Sequence, residues 1–284
     1  MSEICDRIAV VTGAGSGIGR ALAIALARRG ALLALSDLDG SGLAETVVAV
    51  RASGAEVFSE CVDVADYEAV RRHADAVVAR FGRVNHIYNN AGVAYARSVL
   101  SSELVDYERV LGVNLFGVIH GTKAFLPHLV ASGDGHVINI ASINGIAAQA
   151  NLSHYCASKF AVRGFTESLR AEMLDAGLSV RVTCVCPGGV KTGIARNALA
   201  RARAAGLAVT EVEERRQKLY DEKLLRMDPD EAARIILCGV EQDRGRVLVG
   251  NDAKLLDVLV RLLPSRYLQL MNSAIRRLAK GARS

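Results

Sequence analysis

One stretch near the amino terminus restricts the chain to few folds. Ile8-Ala-Val-Val-Thr12 is a run of strand formers, and Thr12-Gly-Ala-Gly-Ser-Gly-Ile-Gly19 follows it directly. An Ala/Leu-rich helical pattern then covers Ile18–Arg29, and Leu32–Ser36 is a second apolar strand that ends on Asp37. Strand, glycine turn, helix and strand read as a βαβ unit with a right-handed crossover and parallel strands. The alternation continues. Val57–Val62, Val84–Tyr88, His136–Ala141 and Val180–Cys186 are further strands, and helical patterns fall near Leu43–Ala52, Tyr67–Phe81, Leu104–Leu129 and His154–Ala176. The strands are continuously apolar rather than alternating, so both faces of the sheet are covered. The expected fold is α/β, a doubly wound parallel sheet of about seven strands. Residues 1–251 form one domain, in which the charged, helix-prone stretch Lys191–Leu225 is an insertion over the sheet edge. Residues 252–284 form a helical extension.

Composition supports this and narrows the function. The chain is 51% hydrophobic over 284 residues, enough for a sizeable core, and no apolar run reaches membrane-spanning length. The start, Met1–Arg7, has no basic segment leading into an apolar one, so a secretory signal is not expected. Cys5, Cys61, Cys156, Cys184, Cys186 and Cys238 have no regular spacing and read as buried thiols of a reduced, cytoplasmic protein. The six histidines form no ligand motif, so no metal is expected. From Asp252 onward seven basic residues face two acidic ones, which accounts for the whole formal charge of +5. The neutral body argues against a nucleic-acid partner.

The turn Gly13, Gly15, Ser16, Gly17, Ile18 and Gly19 sits where a strand opens into a helix. There the backbone can approach a pyrophosphate, whose charge the helix N-terminus favours. Asp37 stands where a carboxylate accepts hydrogen bonds from an adenosine ribose and repels a 2′-phosphate, with no Arg or Lys beside it in sequence. The expected cofactor is NAD rather than NADP. Tyr155 and Lys159 lie four apart on the helix His154–Ala176 and share a face. A nearby ammonium, together with the positive nicotinamide of NAD⁺, favours the phenolate and lowers the phenol's pKa, which suits Tyr155 to acid/base work.

With Asp63-Val64, Asn89-Asn90-Ala91-Gly92, Asn114, Ser142 and Pro187-Gly188 in the same order and spacing, the chain resembles the short-chain dehydrogenase/reductase family over roughly Asp6–Gly250. The resemblance implies a Rossmann-type oxidoreductase. Tyr155 would be the acid/base, Ser142 would bind the substrate oxygen, and Lys159 would also hold the nicotinamide ribose. Asn114 would anchor a water leading from Lys159 to solvent. Asp63 and Val64 would contact adenine, and Asn90, Ala91 and Gly92 would shape the central strand's end beside the cofactor. Pro187, Gly188, Val190 and Thr192 would meet the nicotinamide end. It also implies a homodimer or homotetramer, through outer faces carrying Val105, Phe116, Phe165 and Leu169.

His154 and Cys156, turned away from Tyr155 on the helix, are expected to pack, as are Cys184 and Cys186 on one strand face. The substrate pocket is expected between Ser142–Leu152, Gly188–Gly193 and the insertion. Ile143, Ile146, Ala147, Ala148, Leu152 and Ile194 would make it apolar, with Asn144 and Gln149 as polar exceptions. The implied substrate is a lipophilic secondary alcohol or ketone, steroid-like, retinoid-like or fatty. The alternatives are an NADPH-dependent 3-oxoacyl carrier-protein reductase, which Asp37 opposes, and a non-catalytic nucleotide sensor, which the presence of Tyr155 and Lys159 opposes. In the tail, Leu255–Leu263 and Tyr267–Leu278 carry apolar residues at helical spacing, interrupted at Pro264. The favoured reading is that they close the pocket of this subunit or a neighbour; the other is contact with an anionic membrane surface.

Overall fold

The computed structural model describes residues 2–193, 218 and 224–281. Seven parallel strands lie in the order β3-β2-β1-β4-β5-β6-β7. They are β1 Ile8–Thr12, β2 Leu32–Asp37, β3 Val57–Cys61, β4 His86–Asn89, β5 Gly135–Ile140, β6 Val180–Pro187 and β7 Arg246–Val249. The chain winds outward from β1 to β3, returns, and winds the other way from β4. Crossovers on either side of that switch diverge, which opens a crevice between β1 and β4 at the strands' carboxyl ends.

Alternate residues of each strand feed two cores. Ala9, Val11, Leu33, Leu35 and Ile138 face one layer, with Leu22 and Leu26 of α1 (Gly17–Ala27) and Ile236 and Leu237 of α7 (Pro229–Glu241). Between them in sequence come α2 (Gly40–Arg51), which borders the first layer, and α3 (Tyr67–Phe81). Ile8, Val10, Ile87 and Val137 face the other layer, with Val70 and Val77 of α3, Phe125 and Leu129 of α5 (Gly117–Ser132), and Leu169 and Met173 of α6 (Ser153–Asp175). Leu169 was expected on an outer face; it is only 5% exposed, because the α6 stripe it belongs to is the one that meets β6. Phe165 is also partly buried against core residues.

The stretch expected as one helix, Leu104–Leu129, is interrupted. α4 (Leu104–Leu111) passes into a π turn, Gly112–Phe116, where the N–H of Gly117 bonds the carbonyl of Gly112, before α5 begins. Leu104–Ser132 is long and apolar enough by composition to cross a membrane, but its inner face packs against α3, β4 and β5. α8 (Asn251–Leu262) and α9 (Tyr267–Gly281) form the extension. Most of the insertion, Ile194 included, falls outside the described residues. The cysteines divide by location rather than sharing burial: Cys156, Cys184 and Cys186 are buried, but Cys5 and Cys61 are exposed and Cys238 half-buried. Cys5 lies in a surface turn before β1 and Cys61 ends the edge strand β3, where no layer covers the side chain.

Candidate active site

The glycine turn is shaped by contacts that tolerate no side chain. Gly13 has φ +65°, and a Cβ on Gly19 would lie 2.0 Å from the Gly13 carbonyl oxygen. Asn90, just after β4, holds the turn by donating to the carbonyls of Thr12 (2.9 Å) and Gly13 (3.1 Å). The Thr12 hydroxyl accepts the N–H groups of Asn90 and Ala91 and donates to the Tyr88 carbonyl. At Ser16, which begins α1, no side chain caps the helix and its first turn has no acid. The amides there are therefore open to an anion, the condition for a phosphate cradle.

Asp37 ends β2 against this turn. Its carboxylate accepts the N–H of Gly15 (2.7 Å) and of Asp39 (2.9 Å). Arg20, invisible as a neighbour of Asp37 in sequence, comes close to this region in space. Its guanidinium donates to the carbonyls of Gly15 and Gly42, to Thr46 and to Glu45, so it braces α1 against α2. Asp63 caps the turn after β3 through the Ala65 N–H. Val64 is buried and packs on Gly117, where a Cβ would meet it at 2.7 Å. Across the crevice, Pro187 ends β6 and Gly188 donates to the Val249 carbonyl. Val190 is buried, and the Thr192 methyl lies 3.1 Å from where a Gly17 Cβ would stand. Residues that sequence places far apart thus border one crevice from both sides.

The four candidate catalytic side chains gather at the carboxyl ends of β4 and β5. Ser142 follows β5, is 8% exposed, and accepts the N–H of Asn144 at 3.1 Å. Its hydroxyl also acts on the Tyr155 phenol, drawing that group's pKa down. Tyr155 is half-buried in the first turn of α6. Burial raises its phenol above the ordinary 10.0, and the Ser142 hydroxyl opposes this. Lys159 Nζ is 5.8 Å from the Tyr155 ring centroid, and among protein groups alone desolvation dominates, so the expected lowering depends on the cofactor's positive ring as well. Lys159 is itself buried and donates to the Ile140 carbonyl at 2.9 Å. Burial pushes its ammonium down to about 8.

Asn114 occupies the π turn and is fully buried. Its side chain pairs with both backbone groups of Val93, accepting at 2.7 Å and donating at 2.9 Å, and also donates to Ser158. Ser158 in turn donates to the Tyr155 carbonyl at 2.7 Å, a link that sequence reasoning missed although the two share a helix face. A Cβ on Gly92 would lie 3.3 Å from Asn114 Oδ1 and 3.6 Å from Lys159 Nζ, so glycine keeps a small space between them. His154 and Cys156 are buried as expected. His154 additionally accepts the Tyr155 N–H on Nδ1 at 2.9 Å.

Ile143 and Ile146 pack into a core cluster with Val162, Cys184 and Cys186, rather than lining a pocket as expected. The reason is the short 3-10 turn Ile143–Gly145, which folds them under α6. Ala148 and Gln149 remain half-buried at the rim.

A doubly wound sheet with a glycine cradle at its switch point, and a Ser, Tyr and Lys cluster beside it, defines a nucleotide-dependent oxidoreductase. Residues 7–203 match the short chain dehydrogenase family. The chain belongs to it. It is 51% identical over 275 residues to "Putative oxidoreductase SadH" of Mycobacterium tuberculosis, covering 97% of each. It is 30% identical to Estradiol 17-beta-dehydrogenase 11 of Mus musculus over 96% of this chain and 85% of that one. A solved short chain dehydrogenase/reductase from Burkholderia phymatum, in complex with NAD, superposes with a TM-score of 0.85 at 31% identity, covering 96% of this chain and 97% of that one.

Proposed function

We propose that this oxidoreductase uses NAD(H) to interconvert a lipophilic secondary alcohol and its ketone. The observation that carries the reading is the cluster of Ser142, Tyr155 and Lys159 at the carboxyl end of β5, beside the glycine cradle. NAD, when bound, supplies the hydride acceptor and, in its oxidised form, a positive ring. The chain's own groups move the proton and hold the reactants. Ser142 orients the substrate oxygen toward Tyr155, which takes the alcohol proton in oxidation and returns it in reduction. Because burial alone raises the phenol, its ionisation needs the Lys159 ammonium together with the cofactor's positive charge. Asn114, with the space left by Gly92, holds a water through which Lys159 exchanges protons with solvent.

Cofactor choice rests on Asp37. The carboxylate is pinned by Gly15 and Asp39 and sits beside the cradle, where it suits two ribose hydroxyls and repels a phosphate. Arg20 lies close by, but its donors are engaged by two carbonyls, Thr46 and Glu45. A relative named for estradiol supports a lipophilic substrate. Leu104, Val105, Phe116 and Phe160 are exposed on α4, the π turn and α6, and support pairing with a second copy there.

The test is a panel of lipophilic secondary alcohols with NAD⁺ or NADP⁺, and of a 3-oxoacyl thioester with NADPH, followed by nicotinamide absorbance. Turnover of one or more alcohols with NAD⁺ is expected. Turnover confined to the thioester and NADPH would overturn the reading.

A further inference from the structure

The extension has two faces that do different work. Inward, Ala253 is fully buried, and Leu256 and Val260 pack on the cluster that holds Ile143 and Val162. Both acids of the extension are engaged with the body or within α8. Asp252 accepts the Gly189 N–H at 2.7 Å, and Asp257 pairs with Arg246 and Arg261. Along α9, Tyr267, Met271 and Ile275 recur every four residues and are half-buried. The Tyr267 hydroxyl accepts the Ala148 N–H at 3.4 Å.

Outward, Leu255, Val258 and Leu262 form one stripe of α8, exposed by 69%, 51% and 73%. Leu268 and Leu270 continue the exposed apolar surface onto α9. Lys254, Arg261 and Arg266 are exposed among them. With Asp252 held by Gly189 and Asp257 paired to Arg246 and Arg261, the outer face of the described extension sets large apolar side chains beside an excess of cations, Lys254 and Arg266.

We propose that this outer face docks on an anionic lipid bilayer. A second copy is a poor occupant, because it would bring a like-charged extension against this one. A bilayer supplies both complements at once. Its headgroups attract the cations, and its acyl boundary takes up the leucines. The docked face would also lie beside the reaction site. Asp252 holds the loop after β6, and Tyr267 touches the Ser142–Leu152 segment, so a lipid-dissolved substrate would meet the site at its rim.

The test uses the full chain with phosphatidylglycerol-containing and pure phosphatidylcholine vesicles, by co-sedimentation at low salt and at roughly 1 M salt. The protein should sediment with the anionic vesicles and be released by salt. Lys254→Gln with Arg266→Gln should weaken partitioning about 30-fold, the effect of two surface cations. Leu262→Gln, Leu268→Gln and Leu270→Gln together should weaken it about tenfold or more. Melting and NADH binding should be unchanged in both. The salt response of the unaltered protein stands even if a variant misfolds. Failure to sediment, equal sedimentation with neutral vesicles, or folded variants that partition like the parent would each overturn the proposal. So would loss of molecular mass by light scattering in the leucine variant without vesicle binding by the parent, which would assign the face to self-association.

Discussion

The two ends of the sheet are built from the same kinds of side chain and use them in opposite ways. At the amino end, a buried hydrogen-bond chain runs Tyr88, His86, Ser2, His136, Thr183 and the Arg244 carbonyl. Its direction follows from its last link. Thr183 donates to Arg244, so it must accept from His136 Nε2, and in the neutral ring that burial favours His136 Nδ1 then accepts from Ser2. His86 then donates to Ser2 through Nε2 and accepts from Tyr88. Every ring nitrogen has a partner in this arrangement, and burial favours both histidines neutral. At the carboxyl end, Tyr155 and Lys159 sit in an environment that disfavours their charged forms, and Asn144 Oδ1 and His154 Nε2 are buried with no partner among the described residues. One end spends its polar groups on itself. The other is left incomplete, as a site awaiting ligands must be.

The sharpest break in this comparison is Tyr155→Phe. It removes a proton-transfer group from the incomplete end, so turnover should fall by about 10²–10⁴ with little change in melting. Near-parental turnover in steady-state kinetics would dissolve the distinction between the ends. Next in size, Asp37→Ala should weaken NADH binding by about 10–100-fold, the worth of hydrogen bonds to a charged acceptor, and bring NADH and NADPH affinities together. A fluorescence titration of both nucleotides decides it, and equal affinities in the unaltered protein would remove the argument from Asp37.

The amino end should answer to acid. Burial lowers His86 from 6.5 to about 4 and His136 well below 6.5. Between those values the unfolded chain binds more protons than the folded one, so stability falls as pH falls from 6.5 toward 4. His86 alone should remove about 2 kcal/mol between about pH 7 and 5. Urea unfolding at both pH values measures this, and His86→Gln with His136→Gln should flatten the slope. The smallest effect has the opposite sign. Lys159→Met should abolish turnover yet stabilise the fold by about 1–2 kcal/mol at neutral pH. It relieves a buried ammonium held down to about 8 and gives up one bond to Ile140. A lower melting temperature for Lys159→Met would mean that the lysine is structural.

The strands near the amino terminus were legible because buried parallel strands must be apolar throughout, and the glycine turn because few residues permit so close a backbone approach. β7 and α7 were harder to see: Arg246–Val249 is only four residues long, and α7 follows the charged insertion. The π turn at Asn114 was not legible in the sequence, since a single five-residue segment is too short to establish a period of its own. Ile143 and Ile146 misled for a different reason: apolar residues beside a catalytic serine serve a pocket or a core equally well, and only packing distinguishes them.

What the sequence determined by itself was local and ordered along the chain. It set the alternation of strand and helix, the turn that must be glycine, the carboxylate at a strand's end, and the tyrosine and lysine one helical turn apart. Short-range sterics and helix geometry dictate these whatever surrounds them. The tertiary structure decided what depends on distant segments meeting. It brought Thr192 beside Gly17, Arg20 against Gly15 and Gly42, Ser158 between Asn114 and Tyr155, and Asp252 onto the Gly189 loop. It also set the sign of the Tyr155 shift, because desolvation is a property of everything packed around the phenol and no neighbour in sequence reports it.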